Sequence, residues 1–86
     1  MKFFVYIIEI DNSQFYIGST NNLLRRLKEH KQGNHAGTKY AKRVKLLLAQ
    51  EYPSNLIARK VEKKLKSFKS RKIIEKIVND GKIVLA

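Results

Sequence analysis

Tyr6, Tyr16, Arg26, His30 and Glu62 are the side chains whose types and spacing could act together chemically. A phenol can position or deprotonate water, a guanidinium can hold a phosphate, an imidazole can pass a proton, and a carboxylate can hold a hard cation. Hydrolysis of a phosphodiester needs this set: activated water, stabilised transition-state charge, an assisted leaving oxygen and a positioned strand. A tyrosine has a reference pKa of about 10, too high for an unaided base at neutral pH, so a nearby arginine or metal is needed to lower it. Each residue also has a plainer reading. The tyrosines are then half-buried sheet aromatics with their hydroxyls at the edge. His30 is a satisfied structural histidine, and Glu62 an i,i+4 ion pair with Lys66, worth a few tenths of a kcal/mol.

Glu62 stands out by its surroundings. It is the only acid between Asn55 and Lys72, among Arg59, Lys60, Lys63, Lys64, Lys66, Lys69, Arg71 and Lys72. A carboxylate works against a phosphate-attracting surface unless it holds something. Mg²⁺ is often held by one or two carboxylates, water and substrate phosphate.

The elements that position these residues follow from hydrophobic period. Phe3–Ile10 reads as a strand, with Tyr6, Ile8 and Ile10 on one face and Val5, Ile7 and Glu9 on the other. Asp11-Asn12-Ser13 is turn chemistry, and Phe15–Gly18 resumes as a strand, so the two tyrosines become cross-strand neighbours in a hairpin. Thr20 or Asn21 caps a helix that carries Leu23, Leu24 and Leu27 and ends near Lys31–Gly33. At about 100° per residue, setting Leu23 at zero puts Leu27 near about 40° and Arg26 near about −60°. His30 then falls near about −20° and Arg25 near about 200°. Arg26 and His30 therefore flank the buried face, and Arg25 points to solvent. Gly33–Gly37 is a loop and Lys39–Arg43 a short turn of helix. Val44–Glu51 is a third strand, with Val44, Leu46, Leu48 and Gln50 on one face and Lys45, Leu47 and Ala49 on the other.

Ser54 or Asn55 caps a second helix with a stripe of Ile57, Val61, Leu65 and Phe68, beside which Glu62 lies. Ser70 opens a third helix with Ile73, Ile74, Ile77 and Val78, stopped at Asp80-Gly81. The expected fold is α+β: a three-stranded antiparallel sheet flanked by helices, in the order ββα-β-αα. Residues 1–80 form a single domain and 81–86 a short apolar tail, either docked or frayed.

Composition narrows the partners. The 86 residues carry 19 Lys+Arg against 7 Asp+Glu, a net +12, and 43% are hydrophobic. That field costs stability by self-repulsion and points to a polyanion, with nucleic acid first. A membrane surface would need an exposed amphipathic basic helix, whereas the apolar faces here are required by the core. With no cysteine, disulfide-linked partners and zinc knuckles are excluded. The apolar N-terminal run stops at Glu9 without a cleavage site, and no run approaches a membrane span. A cytoplasmic protein is expected, with a monomer as the default.

The ordered motifs resemble the GIY-YIG nuclease superfamily, nearest its small, stand-alone bacterial single-domain members. Phe4-Val5-Tyr6 precedes Tyr16-Ile17-Gly18 by ten residues, and Phe4 stands where the family name has Gly. Ser19–His30 resembles the family's turn and helix with Arg and His. Ala58–Lys66 resembles its later helix with a metal-binding Glu, and Gly37-Thr38-Lys39-Tyr40 resembles a basic loop of the small members. The resemblance implies the following roles. Tyr6 acts as or orients the general base, and Tyr16 positions the water or scissile phosphate. Arg26 stabilises the developing charge, and His30 assists proton transfer or holds phosphate. Glu62 ligates Mg²⁺ or Mn²⁺. Independently of the resemblance, the net charge and the basic Arg59–Lys72 stretch make Arg59, Lys63, Lys66 and Lys69 candidates for contact with nucleic acid, with Lys39 of the basic loop. His35 and Asn79 are further candidates.

The expected function is a metal-dependent DNA endonuclease of low sequence specificity, selecting branched, flapped or single-stranded shapes in repair or recombination. The alternatives are a non-catalytic basic nucleic-acid-binding module on the same fold and a basic RNA-associated structural protein, so RNA also stands as a partner.

Overall fold

The alternating apolar residues of the N-terminal segment form the central strand of the sheet. The computed structural model describes residues 2–11, 14–33 and 41–84. Its elements are β1 (Phe3–Ile10), β2 (Gln14–Thr20), α1 (Leu23–Lys31), β3 (Val44–Tyr52), α2 (Asn55–Phe68) and α3 (Arg71–Asp80). The sheet is antiparallel in the order β2-β1-β3, so β1 is paired on both sides.

Period two along β1 divides the core between the two faces. Val5, Ile7 and Ile17 pack with Ala58, Leu65, Ile74, Ile77 and Ile83, joining one face to α2 and α3. Tyr6, Ile8 and Ile10 pack with Tyr16, Leu23, Leu27, Val44 and Ala49, joining the other to α1. Val5, Ile7, Ile8 and Leu65 have at most 1% exposure, each worth roughly 1.5–3 kcal/mol in burial.

The structure departs from the sequence reading in local geometry. Strict alternation along β3 fails because the β1–β3 register shifts between Ile7, opposite Leu48, and Ile8, opposite Leu46. Leu47 is the extra residue of this bulge, and Leu47 and Leu48 both pack on the α2/α3 side. A bulge inserts one residue and so inverts the inside–outside parity beyond it. Val44 therefore lies with Ala49 on the α1 side.

The cap of α1 is Asn22, whose side-chain oxygen accepts from Arg25 N–H at 3.1 Å, rather than Thr20 or Asn21. The Thr20 hydroxyl instead accepts from Asn22 N–H at 3.0 Å. Ser54 and Ser70 cap α2 and α3, and Gly81 ends α3 with φ 75°, in the left-handed region glycine occupies without strain. On α2 Val61, Leu65 and Phe68 of the expected stripe pack in the core, and only Ile57 departs: it is 42% exposed, and Ala58 is buried in its place. The tail docks through Ile83, which is buried and donates its N–H to Gln50 Oε1 at 2.7 Å. Residues 41–43 form no helix; Lys39 lies outside the described residues. No helix among the described residues is long and apolar enough to cross a membrane.

Candidate active site

The hairpin register sets the first part of the site. Tyr6 stands opposite Gly18, and Tyr16 opposite Ile8, two positions along the same face. The Tyr6 ring lies across Gly18, where a Cβ would overlap its hydroxyl and ring carbon. Only a residue without a side chain lets the ring lie flat there. The two tyrosine rings stack at 6.4 Å between centroids and 28° between planes.

Helix α1 supplies the second part, with the phase its sequence predicts. Arg25 is exposed, Arg26 half-buried and His30 fully buried. His30 Nε2 lies 2.8 Å from the Tyr6 hydroxyl, and its ring meets Tyr16 edge-on at 4.9 Å. The Arg26 guanidinium lies against the Tyr6 phenol. Arg26 Nε is 3.1 Å from Glu29 Oε1, yet its N–H is not aimed along that line. It is a buried donor without a hydrogen-bond partner among the described residues.

Helix α2 brings the carboxylate to the same edge from the opposite face of the sheet. Glu62 Oε1 accepts from the Ser19 hydroxyl at 2.5 Å, and Oε2 accepts from Lys66 Nζ at 2.6 Å. Lys66 also lies 5.9 Å from the Tyr16 ring centroid. The expected i,i+4 pair is therefore present, tied to the edge strand by Ser19. Glu62 lines a groove of about 730 Å³ with Ser19, Leu56, Arg59, Lys63 and Lys66.

The electrostatics are set by burial. Burial, then the neighbouring Tyr16, pushes the Tyr6 phenol up to about 12 despite the opposing pull of Arg26. The expected lowering by arginine is real in sign, but desolvation exceeds it. Burial likewise raises Tyr16, against the pull of Lys66. Burial would also raise Glu62, but hydrogen bonds from Lys66 and Ser19 and the charges of Lys66 and Arg59 hold it below the usual carboxylate range.

The edge of β2 thus brings together Tyr6, Tyr16, Arg26, His30 and Glu62, but not as one open patch. Tyr6 and His30 have no exposed surface, while Tyr16 and Glu62 form the accessible rim. Arg59, Lys63 and Lys66 line the Glu62 groove, and Lys69 lines a neighbouring one. Lys39 and His35 lie outside the described residues. Asn79 is not in the cluster; it borders a hollow with Phe15, Leu47 and Glu75 beside α3.

Residues 2–75 match the family model described as the GIY-YIG catalytic domain. The chain belongs to the GIY-YIG family. This is a nuclease family, whose substrate is nucleic acid. A solved structure is similar over most of the chain. The solution NMR structure of the UPF0213 protein BH0048 from Bacillus halodurans is 32% identical, with a TM-score of 0.59. The match covers 92% of this chain and 84% of that one. No curated protein matches the sequence.

Within the GIY-YIG frame, the second motif's glycine has a steric reason, the passage of the Tyr6 ring over Gly18. The first motif's glycine position is Phe4, paired with Thr20 at the end of the hairpin. It is half-buried there without displacing Tyr6. Sequence reasoning missed Ser19 as a partner of Glu62. Its signal was its place directly after Tyr16-Ile17-Gly18, on the edge strand that α2 must approach.

Proposed function

We propose that this GIY-YIG domain is a metal-dependent endonuclease that hydrolyses phosphodiester bonds of DNA. It would have low sequence specificity and select its substrate by shape, as a repair or recombination nuclease does. The observation that carries the reading is the meeting of Tyr6, Tyr16, Arg26, His30 and Glu62 at one sheet edge, from two strands and two helices on opposite faces. A purely structural set of sheet aromatics has no need of a carboxylate delivered from the far face.

In this reading Tyr16, on the accessible rim, holds the attacking water against the scissile phosphate. Tyr6 keeps its proton at neutral pH, consistent with its rise to about 12. Its hydroxyl is hydrogen-bonded to His30 Nε2, which fixes the imidazole behind Tyr16. Arg26, with an N–H that has no acceptor among the described residues, is placed to stabilise charge developing on the phosphate. Arg59, Lys63 and Lys66 hold the flanking backbone. Phosphate contacts of this kind position a strand but do not read its sequence.

Among the described residues no group of three or more His, Cys, Asp or Glu converges. A cation caged by protein ligands alone has no seat there. One low-pKa carboxylate completed by water and substrate phosphate is, however, a set that Mg²⁺ or Mn²⁺ accepts, with Glu62 as the protein ligand. Such an ion supplies Lewis-acid polarisation of the phosphate oxygen.

A second reading, a binding module without cleavage, is favoured by the Lys66–Glu62 pair, which already neutralises the carboxylate. Incubation of plasmid, nicked and branched DNA with Mg²⁺ or Mn²⁺ decides between them. Cleavage by the wild type that falls at least about a hundred-fold in Glu62→Ala is the expected result. Binding without cleavage in any metal leaves the module. Cleavage that survives Glu62→Ala assigns the activity elsewhere.

A further inference from the structure

A second groove, of about 490 Å³, adjoins the Glu62 groove and is built differently. Its floor includes Phe15, Leu65 and Ile74, from β2, α2 and α3, and its rim carries Lys66, Lys69 and Arg71. Lys66 borders both grooves and Tyr16 lines this one, so the two are continuous along β2 past the candidate active site.

Two details set this groove apart from a merely basic surface. The Arg71 guanidinium lies 4.5 Å from the Phe15 ring centroid and is held by Glu75 at 2.9 Å. That forms a flat, delocalised layer in the groove wall. Lys69, the C-cap of α2, has φ 49°. Glycine is the favoured residue in that conformation, so the sequence keeps a cation at the groove mouth where the backbone would prefer none.

Cations above an apolar floor and a planar layer match an unstacked nucleotide, which offers a phosphate together with an open base face. A duplex covers its base faces and presents mainly phosphate, for which the apolar floor is useless. Along the α2 axis Glu62 and Lys69 are about 10 Å apart. That is about three steps of a strand at its duplex rise of ~3.4 Å, and fewer for a stretched one.

We propose that this groove is a subsite for an unpaired nucleotide within about three steps of the phosphate held at Tyr16 and Glu62. The substrate class would then be nucleic acid with single-stranded character adjoining that phosphate. The inference rests on reading the Tyr16–Glu62 edge as the phosphate site.

The test is binding by fluorescence anisotropy in chelator, without divalent cation, to a blunt duplex and to the same duplex with a short single-stranded flap. DNA and RNA versions run side by side tell which nucleic acid the groove takes. The wild type should favour the flap about ten-fold. Lys69→Gly combined with Arg71→Gln should bring flap affinity down to near the blunt-duplex value. Lys69→Gly alone should keep or raise the thermal midpoint, so weakened binding is not unfolding. Equal affinity of the wild type for both ligands, or equal losses on both in the double variant, overturns the subsite. The result is independent of cutting: a flap preference with no cleavage of plasmid, nicked or branched DNA in either metal removes the nuclease reading and leaves the subsite standing.

Discussion

Tyr6 concentrates what single residues decide here. Its ring rests on Gly18, its hydroxyl meets His30 Nε2 at 2.8 Å, and it is fully buried. Gly18→Ala forces a methyl group into that ring, so the hydroxyl must leave His30. We expect a loss of about 1–3 kcal/mol in urea unfolding and a disproportionate loss of cleavage. Alkaline pH addresses the same residue. Below about pH 10 the folded and unfolded chains both keep the phenolic proton, and Tyr6 has no pH-dependent effect. Above it the unfolded chain ionises first, and stability falls until the folded phenol ionises near pH 12. The difference between 10.0 and about 12 corresponds to roughly 2–3 kcal/mol. Urea midpoints across this range should drop steeply in the wild type and less in Tyr6→Phe. Tyr16 and Tyr52, also raised by burial, leave a residual slope.

At the scale of elements, the C-terminal tail closes the α2/α3 core. Ile83 is 6% exposed and joins that core, while Gln50 accepts its N–H. Ile83→Ala should cost about 2–4 kcal/mol by chemical denaturation. Gln50→Ala should cost about 1–2 kcal/mol, because it leaves that N–H without its acceptor.

The same scale shows where sequence reading works and where it stops. Tyr6, Ile8 and Ile10 against Val5 and Ile7 were legible because β1 is paired on both sides and keeps period two throughout. Arg26 and His30 were legible because helical phase is rigid over two turns. The faces of β3 were not, because one extra residue at Leu47 inverts parity and nothing in a run of three leucines marks it. Asn22 displaced Thr20 and Asn21 as the cap because three consecutive polar residues all have capping chemistry. Glu62 was legible as a candidate from its isolation among cations, but its meeting with the tyrosines was not fixed by spacing, since it depends on how α2 crosses the sheet edge. Helical phase put His30 on the core side and the strand pattern left the tyrosines half-buried, but the complete burial of Tyr6 and His30 behind the rim was not legible.

Over the whole molecule, charge governs behaviour. A net +12 on 86 residues makes counterion release the main driving force on nucleic acid. Affinity for duplex DNA should fall linearly in log–log form, with a slope of about −0.9 per phosphate neutralised. Anisotropy titrations over a salt series measure it, and a flat response would contradict any model based on backbone contact. The charge bears equally on contacts between copies of the chain. Among the described residues the sheet has three strands, with β2 and β3 on the outside, and outer strands invite pairing between molecules. Like charge keeps those edges apart, and a bound polyanion removes that protection. Added DNA should therefore bring light scattering to a maximum near charge equivalence, with clear solutions on either side. On this argument the ratio of protein to polyanion, as much as the fold, sets whether copies of the chain stay apart.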